Sequence, residues 1–222
     1  MDFTPFLTAT ATVNADHPAV RDFTARHSGP SGAPGARAVA LYYAVRDRIW
    51  YDAYAIDLSV RGLSASRALE TGRGWCVSKA ILLAACCRTA GIPARLGYAD
   101  VRNHLSTERL RQVMGTDEFI WHGYTDLWLN DRWVKATPAF NIELCRKFRL
   151  RPLEFDGRAD SIYHPFDEEG RAHMEYLRYR GEFADVPLGE MQRDFADLYP
   201  HALRKLAGDD FDRDVALEVK AP

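Results

Sequence analysis

The stretch from Trp75 to Ala90 constrains this chain more than any other. Cys76, Ala80, Leu83, Ala84 and Cys87 recur at intervals of three and four, which is one face of a helix. Ile81, Leu82 and Ala85 fill much of the remaining circumference. A helix apolar nearly all round belongs in the middle of a domain, with other elements packed about it. Gly91 suits the residue just past its end, and Pro93 prevents continuation. The helix opens after a glycine-broken turn, Gly72-Arg73-Gly74, so Cys76 stands at its start. Unpaired backbone N–H groups and the helix dipole favour an anion there, and that placement is expected to lower the thiol pKa.

The surrounding segments predict an α+β chain. Residues 6–14 are rich in β-branched residues and read as a strand. A short helix follows from Pro18, and residues 28–35 form a loop by composition. Residues 36–50 have amphipathic helical spacing, and Ser64 caps a short helix running to about Glu70. Residues 94–102 read as a strand. Ser106 caps a helix over 107–114 that Gly115 stops. Residues 119–129 and 132–137 form a hairpin about Asn130-Asp131. From about 145 to 205 short helices mix with loops, as a covering segment. The charged tail over 208–222 is expected to be loosely held. The 222 residues, 47% of them hydrophobic, suit a single domain with a real core.

A net charge of −2 offers no global field for nucleic acid or anionic membrane. The basic run over 146–151 reads as a solvated face. No signal-peptide pattern or membrane-length apolar run is visible. Cys76, Cys86, Cys87 and Cys145 show neither CxxC pairing nor zinc spacing. The expectation is a reduced, cytoplasmic protein with no metal or other cofactor. Cys86, Cys87 and Cys145 read as ordinary thiols, the first two as core fillers.

A cysteine nucleophile needs a base, and His122 has company that the hairpin determines. With Asn130-Asp131 as a two-residue turn, Trp128 pairs Trp133, Asp126 falls opposite Lys135, and Tyr124 falls opposite Thr137. His122, Tyr124, Asp126 and Trp128 then share a face with Trp133, Lys135 and Thr137. Thr137 is the diagonal neighbour of His122, roughly 7 Å away along the backbone. An Asp126–Lys135 charge pair agrees with this register.

Two blocks resemble the transglutaminase-like superfamily. One is Gly74-Trp75-Cys76 followed by Ala80 and by Arg88 through Arg95. The other runs from Trp121-His122-Gly123-Tyr124 to Trp133-Val134-Lys135-Ala136-Thr137-Pro138. The match covers about residues 36–142, the expected catalytic core. Asp156-Gly157 and His173 through Tyr176 resemble a bacterial subgroup of it. The resemblance implies a papain-like fold, with a central Cys-bearing helix packed on an antiparallel sheet. It also implies a Cys-His-Asp triad in which Cys76 is the nucleophile and His122 the base. Thr137 stands where the family usually has Asp. Its hydroxyl can hold a histidine tautomer but cannot stabilise imidazolium as a carboxylate does. Asn141 and Asp126 are the alternatives for that role. For the oxyanion, the Cys76 backbone N–H is the first donor on physical grounds. Tyr51 and Trp75 are further candidates, and His104 reads either as a surface residue or as one that lines the cleft.

The implied reaction is acyl transfer from a peptide or small amide through a thioester. Hydrolysis is favoured because water is the default acceptor. Transfer to an amine, as in a protein-glutamine transglutaminase, is the alternative. A non-catalytic binding module is the reading from another class, supported by Thr137. No calcium-binding loop of EF-hand type is visible.

Overall fold

The computed structural model describes residues 2–30, 32–103, 107–162, 174–200 and 209–219. Along the chain run α1 (Thr4–Leu7), α2 (Pro18–His27), α3 (Pro34–Arg48), β1 (Trp50–Tyr51), α4 (Ala65–Thr71), β2 (Arg73–Gly74), α5 (Cys76–Thr89) and β3 (Ala94–Asn103). Then come α6 (Glu108–Met114), β4 (Glu118–Leu129), β5 (Arg132–Ala136), α7 (Ile142–Lys147), β6 (Met174–Phe183), α8 (Leu188–Leu198) and α9 (Phe211–Val219).

Helix α5 is central, as its apolar circumference requires, and every residue from Cys76 to Arg88 is buried. Helices α2, α3 and α4 pack on it from one side, and β3 and β4 from the other. It ends at Gly91, whose φ of 74° returns the chain so that the Ile92 N–H donates to Cys87 O at 2.9 Å. Its one buried ammonium, Lys79, donates to the carbonyls of Arg46 and Ile49 at 2.9 and 2.6 Å. Those oxygens lie at the end of α3, where carbonyls lack intrahelical partners. Lys79 therefore ties α3 to α5. Desolvation pushes its pKa down to about 7.

The sheet is antiparallel, in the order β5-β4-β3-β6. Asn130 and Asp131 both have positive φ (51° and 60°), the geometry of a hairpin turn that matches strand twist. Trp128 pairs Trp133 and Asp126 pairs Lys135, as expected. Strand β5 stops one residue early, however. Ala136 bridges Ser161 in parallel, and the Thr137 N–H donates to Ser161 O at 2.8 Å. Thr137 therefore leaves the ladder instead of pairing Tyr124.

Other expectations give way to the structure. Residues 6–14 hold no strand. Pro5 opens the one-turn α1, and Thr10 closes a local loop by bonding Val13 through both backbone and hydroxyl. Strand β6 was unexpected. It is an edge strand with little burial and many charged side chains, so it lacks the alternation that reveals a strand. The tail is not loose over α9, where Phe211 and Val215 are buried and Arg73 pairs Asp212 at 2.8 Å. The cap of α6 is Thr107, whose hydroxyl accepts from the Leu110 N–H. His104, Ser106 and His173 lie outside the described residues.

Candidate active site

Cys76 is the first residue of α5, after Trp75 at the cap position. Parallel pairing of β1 with β2 brings Tyr51 opposite Gly74, two residues before the cysteine. The Tyr51 N–H donates to Asn141 Oδ1 at 3.0 Å, which fixes that strand from the α7 side. From below, β4 meets the helix through two residues. A Cβ on Gly123 would lie 2.9 Å from Val77 Cα, so only glycine lets the strand approach so closely. Two residues on, Thr125 Oγ1 donates to Ala80 O at 2.8 Å. This approach directs the Gly123 N–H at the Cys76 thiol.

The sequence led us to expect a lowered thiol pKa. The structure reverses that sign. Cys76 is buried, and desolvation pushes its pKa up to about 11. The N–H groups of Gly123, Val77 and Cys76 itself pull it down, but burial outweighs them. Cys86, Cys87 and Cys145 are also buried and also raised, in each case chiefly by desolvation.

His122 immediately precedes Gly123 and pairs Ala99. A β-bulge sets its direction. Val101 pairs Phe119 while Ala99 pairs His122, so Ile120 and Trp121 together oppose the single residue Asp100. Phe119 and His122, three apart, thereby share a face with Val101 and Ala99. Trp121 takes a left-handed φ of 61°, rare for a bulky side chain. Its N–H donates to Asp100 Oδ1 at 3.1 Å and its indole to Asp194 Oδ2 at 2.9 Å. Arg180, from β6, bonds both carboxylates and lies over the Trp121 ring at 4.5 Å. Asp100, Arg180 and Asp194 escaped the sequence reading because β6 went unrecognised and bulges have no residue signature. The Tyr176 ring stands edge-on to His122 at 6.1 Å.

None of the three candidates for orienting His122 hydrogen-bonds to it. Asp126 is fully buried and accepts from Arg95 through two nitrogens at 2.8 and 2.7 Å. Lys135, its expected partner, instead bonds Glu182 and the Tyr124 hydroxyl. Asn141 spends its oxygen on Tyr51 and its amide nitrogen on Glu143. The Thr137 hydroxyl is buried with no hydrogen-bond partner among the described residues. Its displacement from β4 by Ser161 accounts for the missing contact.

Cys76 and His122 open onto one cleft of about 530 Å³, with Tyr51 and Trp75 in its wall. Burial around the Tyr51 phenol, reinforced by the nearby Cys76, holds its pKa well above the ordinary range. It is thus a neutral hydroxyl at any working pH. The Trp75 indole N–H is buried without a hydrogen-bond partner among the described residues. Among the described residues no group of three His, Cys, Asp or Glu is placed to hold a metal ion. No helix there is long and apolar enough to cross a membrane.

The Transglutaminase-like superfamily profile matches residues 21–138, more than half of the chain. The chain belongs to that superfamily, and its central helix on an antiparallel sheet is the papain-like fold of the group. No curated protein matches it significantly. Among solved structures it is similar to a candidate cysteine protease from Cytophaga hutchinsonii, at 18% identity and a TM-score of 0.47. That match covers 82% of this chain and 55% of the other. A candidate protease from Parabacteroides distasonis matches at 14% identity and a TM-score of 0.38, over 57% of this chain and 26% of that one. The chain therefore spans about half the length of the first and a quarter of the second.

Proposed function

We propose that the protein is a cysteine-dependent hydrolase of an amide bond in a peptide or small amide. One observation carries this reading. Cys76 and His122 open onto the same cleft, with the N–H of the residue after His122 directed at the sulfur. Burial keeps the resting thiol protonated, so His122 acts as a general base during attack rather than as half of a standing ion pair. His122 takes the thiol proton as the sulfur–carbon bond forms. The oxyanion meets the Cys76 and Gly123 N–H groups, with the Trp75 indole as a further donor. His122 then gives its proton to the leaving amine as the carbon–nitrogen bond breaks. Water attacks the thioester, His122 takes the water proton, and the thiolate leaves to recover it.

A binding module without chemistry has two observations in its favour, the raised thiol and the lack of a hydrogen bond to His122 from Thr137, Asn141 or Asp126. The two readings separate in one assay. Amine release from a panel of peptide amides should be abolished by Cys76→Ala and reduced about 10²- to 10⁴-fold by His122→Ala. Release that persists in Cys76→Ala sinks the proposal. A product carrying an added primary amine, in place of the free acid, would mark the enzyme as a transferase.

A further inference from the structure

The wall of the Cys76 cleft is almost wholly apolar. Ile56, Leu110, Met114, Phe119, Met174 and Phe195 supply much of it, and no Asp, Glu, Lys or Arg lines it among the described residues. A second hollow of about 360 Å³ shares Tyr51, Ala53, Asn103 and Leu110 with the first and continues the same chemistry with Phe140 and Phe211. Charged groups face a different concavity, beyond Ile56, where Asp52, Asp57, Arg67 and Arg73 meet. Apart from the reacting pair, the residues of the wall with polar side-chain atoms are Tyr51, Asn103 and Trp75, all of them uncharged.

We infer that this cleft takes the acyl side of the substrate as an uncharged, apolar side chain, aliphatic or aromatic. The inference rests on the acyl-transfer reading above and names its substrate class. A charged side chain placed there would lose its hydration with no countercharge among the described residues of the wall, and that cost is large. A phenyl or isobutyl group would instead cover apolar surface on both partners.

Acyl chloromethyl ketones test this without needing turnover. The thiolate displaces chloride, forming a thioether, while the amino-acid side chain sits where the acyl group would. The N-acetyl phenylalanyl, leucyl, lysyl and glutamyl reagents are compared at pH 9 by the rate of Cys76 labelling, each normalised to its rate with glutathione. The phenylalanyl and leucyl reagents should label Cys76 about 10- to 100-fold faster than the charged ones. Ile56→Glu, in a loop at the cleft wall and outside the reacting pair, should raise the lysyl rate about tenfold relative to the phenylalanyl rate. Equal rates across the four reagents, or faster labelling by a charged one, overturn the apolar-substrate inference and leave the nucleophile standing. Failure of all four to label Cys76 in the folded protein overturns both.

Discussion

The backbone N–H of Trp121 donates to Asp100 Oδ1 at 3.1 Å, and this bond holds a left-handed residue immediately before His122, the proposed base. The bulge it closes decides which face His122 occupies. Asp100→Ala should cost about 1.5–3 kcal/mol, the range for a hydrogen bond to a charged group, measured by urea unfolding. It should also lower kcat/KM about 10²-fold, as misplacement of a reacting group by about 1 Å does. Asp100→Asn keeps an acceptor oxygen and should lose less of both. Equal damage from the two variants would remove the bulge bond from the account.

Gly123→Ala tests the close approach of β4 to α5. The added methyl would lie 2.9 Å from Val77 Cα, where backbone rather than a flexible side chain must yield. Overpacking of this kind costs about 1–3 kcal/mol. The shift falls on the first turn of α5, so Cys76 labelling should slow along with the loss of stability. A variant as stable and as reactive as the parent would show that the contact is slack.

Alkylation of Cys76 by iodoacetamide should climb about tenfold per pH unit from pH 7 and still be climbing at pH 10, because burial puts the thiol at about 11. It should nevertheless outpace Cys86, Cys87 and Cys145, which are buried and raised but do not line the cleft onto which Cys76 opens. A plateau reached below pH 7 would mean a standing thiolate–imidazolium pair.

Lys79 has a folded pKa of about 7 against an ordinary 10.5. Below pH 7 both states carry its proton and the burial penalty is complete. Between 7 and 10.5 the unfolded state binds more protons, so this group's contribution to stability improves as pH rises. The stability of the parent relative to Lys79→Met should therefore increase from pH 6 to pH 9 in paired urea titrations. A difference that is flat or falls with pH would place the ammonium in water.

Thr137→Val removes a buried hydroxyl that makes no hydrogen bond among the described residues. Stability should hold or rise by up to about 1 kcal/mol, since nothing is left unpaired. Activity should fall by no more than a few-fold. A loss of about 10²-fold or more would show that the hydroxyl meets His122 during the reaction.

Much of the fold was legible because its strongest signals are local. The apolar circumference of 76–88 dictated a buried helix, and Gly91 with Pro93 dictated its end. Asn130-Asp131 set the hairpin, and with it the Asp126–Lys135 and Trp128–Trp133 registers. Strand β6 was not legible, because an edge strand buries too little to show a period of two. The segment 6–14 misled because β-branched residues close local loops as readily as they join ladders when no partner strand is near.

The sequence by itself determined that Cys76 would stand at the head of a buried helix, and that His122 would lie on a hairpin strand of known register. Both follow from the spacing of neighbours along the chain. Only the tertiary structure decided the state of the thiol, the direction of His122 and the neighbours of both. The helix-start field was read correctly, but the desolvation that overrides it comes from distant elements closing over Cys76. The bulge depends on Asp100 and Arg180 from other strands, and Asp126 pairs with Arg95 across β3 rather than with Lys135. Burial and cross-strand charge pairing are sums over residues far apart in the chain, so no local pattern encodes them.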